Sequence, residues 1–222
     1  MIKAVIFDMY ETLITHYRTP LYFSEAMAAD AGVDTGSFRS MWRSLENDRT
    51  VGKITFEQTI ERILKENDAY SDDMLSLICK KRRATKDRCF ETMHEGIIPM
   101  LEAIKAKGIM IGLISNCFSE EAAAIKESVL YKYFDAPCLS YELKVRKPER
   151  EIFDICIERL GVKADECLYI GDGGSGELEA AEAVGMKALQ AMWYSYDENN
   201  DVIERRPHFK ALDDPQEILS YI

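Results

Sequence analysis

The sequence predicts an α/β fold, a Rossmann-like parallel-sheet core with an inserted small helical cap domain, and three observations predict it. The run 2–7 is β-branched and apolar apart from Lys3, the pattern of a strand covered on both faces. From 97 onward, strand-like runs alternate with helical stretches of 10–15 residues, which calls for right-handed βαβ crossovers and a parallel sheet. Between them, from about 16 to 94, no convincing strand occurs and apolar residues recur at helical spacing.

Taken in order, the first strand leads into the helical stretch, where Gly32 closes an early helix. Phe38, Met41, Trp42 and Leu45 define one helical face, and Phe56, Ile60, Ile63 and Leu64 another. Thr55-Phe-Glu-Gln58 is a capping box opening the second of these, and Leu75, Ile78 and Cys79 begin a further helix. The bundle therefore covers 16–95, and the core comprises 1–15 and 96–222. In that core a helix at 97–107 ends at Gly108 and precedes a strand at 109–114. A helix at 119–128, a short strand at 137–139, a helix at 149–160 ending at Gly161 and a strand at 167–170 follow. A helix at 176–184, Gly185, a strand at 187–192 and a last helix opened by Pro215 complete the chain. Trp193-Tyr-Ser-Tyr196 is expected to pack where that strand passes into an exposed loop, 194–207, rich in Asp, Asn and Arg.

A chain of 222 residues fits one large domain, or a core with a modest second unit. Its 47% hydrophobic and 30% charged residues are ordinary for a soluble globular protein with ample core material. The 39 acidic and 28 basic side chains give a formal charge of −11, a field that repels nucleic-acid backbones and anionic lipid. A phosphate ligand would need local Lys, Arg or metal to overcome it. No apolar run approaches the ~20 residues of a membrane span, and the amino terminus enters a strand directly, leaving no room for a signal peptide. Six cysteines without CxxC or zinc-like spacing read as reduced, mostly buried thiols of a cytoplasmic protein.

Four polar points fall where strands end or helices begin, the place where open parallel sheets bind ligands. Asp8, with Thr12 nearby, ends the first strand; a carboxylate there can attack phosphorus or carbon and form a covalent intermediate, or simply bind turn amides. Ser115-Asn116 end the next strand, where a hydroxyl and amides can bind non-bridging phosphoryl oxygens or cap the next helix. Pro148 at a first helical position would hold Lys147 in place, and an ammonium beside Asp8 would keep it ionised; Lys144 and Arg146 are the neighbouring decoys. Gly171-Asp-Gly-Gly-Ser-Gly-Glu-Leu178 spells GxGxxG, with Asp197 about where a dinucleotide fold places its ribose acid. Asp172 and Glu177 would repel a pyrophosphate there, and too little chain follows for a full dinucleotide fold. With Mg²⁺ between them the same carboxylates become useful, although Glu177 also suits a helix's first turn for its dipole alone.

In the bundle, Asn47-Asp-Arg-Thr-Val-Gly52 reads as a loop joining two helices and dipping toward the site, with Arg49 the candidate for substrate-anion recognition and Arg43 a weaker one. Either is more often just a solvated helix-end charge. Lys80-Lys-Arg-Arg83 reads as a solvated helix face, and His16, His94 and His208 are single, without ligand spacing.

The order and types of Asp8, Ser115, Lys147 and Asp172 resemble the haloacid dehalogenase-like hydrolase superfamily, helical-cap subfamily, across nearly the whole chain. The resemblance implies a Mg²⁺-dependent hydrolase of small phosphomonoesters acting through an aspartyl-phosphate. In that scheme Asp8 is the nucleophile, Ser115 and Lys147 stabilise the phosphoryl charge, and Thr12, Asn116 and Arg49 contact substrate. Asp8, the Tyr10 carbonyl, Asp172 and Glu177 (directly or through water) hold the metal. Tyr10 departs from the pattern, because phosphatases of the superfamily place an Asp there as acid and base, and a phenol of pKa ~10 is poorly matched to that task. The superfamily's 2-haloacid dehalogenases do carry Tyr at that position but lack the Gly-Asp pair of 171–172. Glu11 stands where Gly is usual. Two alternatives therefore stay open: a metal-independent 2-haloacid dehalogenase with Arg43 as halide cradle, and a weakly active phospho-ligand binding protein.

Overall fold

A computed structural model describes residues 1–195, 197 and 203–222. Six parallel strands form one sheet in the order β3-β2-β1-β4-β5-β6. They are β1 (Ala4–Phe7), β2 (Met110–Ser115), β3 (Ala136–Leu139), β4 (Cys167–Gly171), β5 (Lys187–Ala191) and β6 (Lys210–Leu212). Central β1 pairs with β2 on one side and β4 on the other, Ala4 opposite both Met110 and Cys167. The strand order reverses at β1 and β4, so a crevice opens beyond their carboxyl ends.

Side chains alternate between the faces, and both faces are covered, which is why β1 reads as continuously apolar. Val5 and Phe7 join a core with α6 (Ile97–Ala106) and α7 (Ser119–Glu127). Ala4 and Ile6 face α9 (Arg150–Leu160) and α10 (Glu177–Ala183) through Ile152, Phe153, Cys156 and Leu178. At Gly112 on β2 an added Cβ would lie 2.9 Å from the Cys156 sulfur, so the close seat of α9 requires glycine there.

The helical insert comprises α1 (Ser24–Ala31), α2 (Thr35–Ser44), α3 (Glu46–Thr50), α4 (Phe56–Glu66) and α5 (Asp72–Glu91). Met27, Phe38, Phe56, Ile60, Ile63 and Ile78 make its own apolar cluster, with Met41 and Trp42 at the edge. The Thr55–Gln58 capping box forms, and Gly32 closes α1 at φ +64°.

Several expectations need correction. The stretch expected to be a loop at 47–52 contains α3, because its acids in the first turn and Arg49 in the last suit a short helix. Pro148 precedes the helix instead of starting it; α9 begins at Arg150, and the Lys147–Pro148 bond is cis. Pro215 opens only a short 3-10 helix, Pro215–Ser220. Three-residue β6 and the one-turn helix α8 (Ser140–Leu143) carry too little periodic pattern to be read from sequence. Within 80–83 Arg82 is buried rather than solvated. Trp193 Nε1 donates to the Thr12 carbonyl at 2.8 Å and Tyr194 Oη to Leu13 at 3.1 Å, as packing predicts, whereas Tyr196 and most of the expected 194–207 loop tip lie outside the described residues. All six cysteines are free and five are buried. Among the described residues no helix is long and apolar enough to cross a membrane.

Candidate active site

Beyond the ends of β1 and β4, Asp8 follows Phe7 directly and its backbone N–H donates to the Ile170 carbonyl at 2.9 Å. Asp172 follows Gly171, and Glu177 is the first residue of α10. One carboxylate oxygen from each of Asp8, Asp172 and Glu177 lies within 4.8 Å of the others. Lys147, also buried, places its ammonium against both Asp8 Oδ1 and Glu177 Oε2. The Asp8–Lys147–Asp172–Glu177 constellation expected from strand ends is thus assembled.

The backbone explains how. Asn116 at the end of β2 clasps the Lys147 peptide, donating from Nδ2 to its carbonyl at 3.0 Å and accepting its N–H at 2.8 Å. This clasp, not a helical first position for Pro148, fixes Lys147. Glu177 is set by a 2.9 Å bond from Tyr169 Oη and a 3.2 Å bond from the Gly173 N–H. A Cβ at Gly171 would overlap Glu177 Oε1, so that glycine makes room for the carboxylate. Asp172 Oδ1 accepts the Gly174 N–H at 3.2 Å. Behind the loop, buried Gln190 of β5 donates to the carbonyls of Asp172 and Glu204 at 2.8 and 2.7 Å and accepts the Arg206 N–H at 2.8 Å. Tyr169 and Gln190 were not anticipated; the signal for Gln190 is an amide within an otherwise apolar strand.

The electrostatics are unbalanced: three carboxyls meet one ammonium. Burial and the charge of Glu177 push Asp8 up to about 7 against the pull of Lys147. Burial and Asp8 push Asp172 to about 6, and burial and Asp172 push Glu177 to about 6. Burial works against the Lys147 charge, but Asp8 and Glu177 hold its pKa above the ordinary value. Crowded, acid-rich oxygen donors that resist ionisation are a donor set that suits a hard divalent cation such as Mg²⁺. The cluster opens into a cavity of about 160 Å³, lined in part by Asp8, Tyr10, Asn116, Lys147 and Asp172. A second cavity of about 240 Å³ shares Tyr10, Asn116 and Ser175 with it and is bounded also by His16, Glu46 and Arg146.

Other expected site residues are placed differently. Thr12 and Ser115 are fully buried beside the site, and neither hydroxyl has a hydrogen-bond partner. Arg49 lines neither cavity: its guanidinium lies 3.3 Å from the Trp42 ring centre and 4.2 Å from that of Phe118, and donates to the Trp42 carbonyl at 2.9 Å. The short helix α3 turns it into an aromatic slot, where its Nε and Nη1 have no hydrogen-bond partner among the described residues. Arg43 is exposed on α2 and also lines neither cavity.

Tyr10 stacks on His16 with ring centres 4.5 Å apart, and its hydroxyl is sealed from solvent without a partner. Burial and nearby Glu121 hold the phenol well above its usual pKa. Glu11 adopts φ +61°, a conformation that favours glycine and costs a non-glycine residue about 1 kcal/mol. Its carboxylate offsets this by accepting from Thr15 Oγ1 at 2.6 Å and the His16 N–H at 3.1 Å. His16 was read as single, yet its Nδ1 meets Glu11 at 3.1 Å and its Nε2 meets Lys86 Nζ at 2.6 Å.

A family model described as haloacid dehalogenase-like hydrolase matches residues 2–185. A glyceraldehyde 3-phosphate phosphatase of Methanopyrus kandleri is 25% identical over 236 aligned positions, covering 100% of this chain and 97% of its own. A 2-haloacid dehalogenase of Pseudomonas syringae superposes with TM-score 0.68 at 21% identity, covering 99% and 97% of the two chains. An enzyme from Bacteroides thetaiotaomicron, solved with magnesium and inorganic phosphate, superposes with TM-score 0.63 at 18% identity, covering 94% and 98%.

Proposed function

We propose that this chain, which belongs to the haloacid dehalogenase-like hydrolases, hydrolyses small phosphomonoesters with Mg²⁺ through an aspartyl-phosphate intermediate. The observation that carries the reading is the meeting of Asp8, Asp172 and Glu177 around one point with Lys147 beside them. A 2-haloacid dehalogenase has no use for that surplus of carboxylates, whereas a phosphatase needs it to hold a cation.

In the proposed reaction an Asp8 carboxylate oxygen attacks phosphorus in line with the departing oxygen. Lys147 pulls Asp8 toward its ionised form and offsets phosphoryl charge, and Asn116 lines the cavity where the substrate's oxygens would lie. The unpartnered hydroxyls of Ser115 and Thr12 are available to the phosphoryl group once the site closes on it. Asp8, Asp172 and Glu177, with the Tyr10 carbonyl, would hold Mg²⁺, whose bound charge neutralises phosphoryl oxygens. Water then cleaves the phosphate from Asp8. Residues 16–95 act in this reading as a cap over a core of 1–15 and 96–222, excluding bulk water from the second cavity. The substrate in this reading is a small phosphorylated molecule, as glyceraldehyde 3-phosphate is for the archaeal relative. The free cysteines fit a reducing, cytoplasmic setting.

Phosphate and chloride release, each measured with and without Mg²⁺, test this. Phosphate release that requires Mg²⁺ is expected. Tyr10 keeps dehalogenation as the second reading, and metal-independent chloride release from a 2-chloroacid would install it instead.

A further inference from the structure

We infer that the phosphoryl group removed here is carried on an oxygen that is stable as an anion, an acyl or aryl phosphate in preference to an alkyl phosphate; this rests on the phosphatase reading above. The argument is the absence, among the described residues, of a side chain in position to protonate the departing oxygen.

Each candidate is engaged by other groups, taken as a cation ligand in the reading above (Asp172 and Glu177), or set away from the cavity that holds Asp8. Tyr10 lines both cavities with its ring, but its hydroxyl is sealed away from them. Glu11 lines neither cavity and turns its oxygens to Thr15 and His16. His16 does face the second cavity, yet both its ring nitrogens are occupied, Nδ1 by Glu11 and Nε2 by Lys86. Glu121 accepts Lys86 and Arg82 on Oε1, at 2.5 and 3.2 Å, and the Phe118 N–H on Oε2 at 2.9 Å. Glu46 is exposed on α3 and borders only the second cavity, not the one holding Asp8. Asn116, Thr50 and Ser175 offer hydrogen bonds but not acidic protons.

The chemistry then balances without a protein acid. The bond from Asp8 Oδ to phosphorus forms as the bond from phosphorus to the leaving oxygen breaks, and the electron pair departs on that oxygen as a carboxylate or phenolate. Water next attacks phosphorus, Asp8 leaves with its own pair as a carboxylate, and the water's proton passes to phosphate and solvent. An alkyl phosphate would instead expel an alkoxide, and a positioned acid is worth roughly 10²–10⁴-fold in such a step.

The test uses the full chain with Mg²⁺ on acetyl phosphate, a series of substituted phenyl phosphates and glycerol 3-phosphate. The expected result is a kcat/KM that falls steadily as the leaving oxygen becomes more basic, with glycerol 3-phosphate at least about 100-fold below acetyl phosphate. Tyr10→Asp should narrow the gap in kcat/KM between acetyl phosphate and glycerol 3-phosphate. The wild-type series stands by itself if that variant does not fold. Equal kcat/KM across the series overturns this inference and leaves the phosphatase reading intact. No hydrolysis of any of these compounds, with no Mg²⁺ uptake by calorimetry, overturns both.

Discussion

Two clusters of buried charge lie in this molecule and differ in balance. At the strand ends Asp8, Asp172 and Glu177 face a single ammonium, Lys147. Between α5 and α7, Arg82 and Lys86 face Glu120 and Glu121, with every side chain at most 7% exposed. In the second cluster Glu121, bonded to both cations and to the Phe118 N–H, is held below its ordinary pKa despite burial. Glu120 has one close cation and an oxygen without a partner, and burial raises it. In the first cluster all three carboxyls are raised. Matched burial makes a joint between helices, and unmatched burial leaves a surplus of oxygen donors, the feature on which the proposed cation site rests. The lesson is that charge surplus, not the mere presence of acids, distinguishes a site from a brace.

The most severe break in the comparison is Asp8→Asn, which removes the proposed nucleophile. Steady-state phosphate release should fall about 10⁴-fold or more while circular dichroism is unchanged. Next comes Glu121→Ala, which leaves Lys86 and Arg82 short of countercharge in the interior. Urea melts should record a loss of about 3–5 kcal/mol, with Mg²⁺ affinity by calorimetry largely preserved. If instead Mg²⁺ binding vanished and stability held, the two clusters would have exchanged roles.

Smaller effects sharpen the contrast. Because the three carboxyls have folded-state pKa values raised to about 6 and 7, the folded chain binds protons that the unfolded chain has already lost. Stability from this source is full below about pH 4, the unfolded carboxyl range, and is lost as pH rises through 6 to 7. Mg²⁺ reverses the loss only where the carboxyls are ionised. Added at about 100 times its Kd it should stabilise by about 2.7 kcal/mol, and its thermal shift should be larger at pH 8 than at pH 5.5. An equal shift at both would count against these ligands. The smallest expected change has the opposite sign from Glu121→Ala: Asp172→Asn should stabilise the metal-free chain by about 1 kcal/mol at pH 8 and abolish the Mg²⁺ response.

The constellation was legible because strand ends are fixed by short apolar runs, and residues just past them must converge when the strands are parallel neighbours. Asp8, Lys147 and Asp172 needed no side-chain information to be brought together. The burial of Arg49 and Arg82 was not legible because composition tells neither which side of a short helix faces inward nor what waits there, here the Trp42 and Phe118 rings and the Glu120–Glu121 pair. The direction of the Tyr10 hydroxyl hangs on a turn in which Glu11 takes a left-handed conformation, invisible before the Thr15 and His16 bonds are seen. Lys147 was read correctly for a wrong reason, since a distant amide and not a helix start holds its peptide.

Gln190 carries a consequence for divergence among related chains. It lies beyond residue 185, where the family match stops, yet it ties the Asp172 carbonyl to the backbone at Glu204 and Arg206. Substitutions in that carboxyl-terminal stretch can therefore shift the backbone at Asp172 without altering any signature residue. A lineage has in this tether a means of adjusting the acidic loop that a motif search would never register.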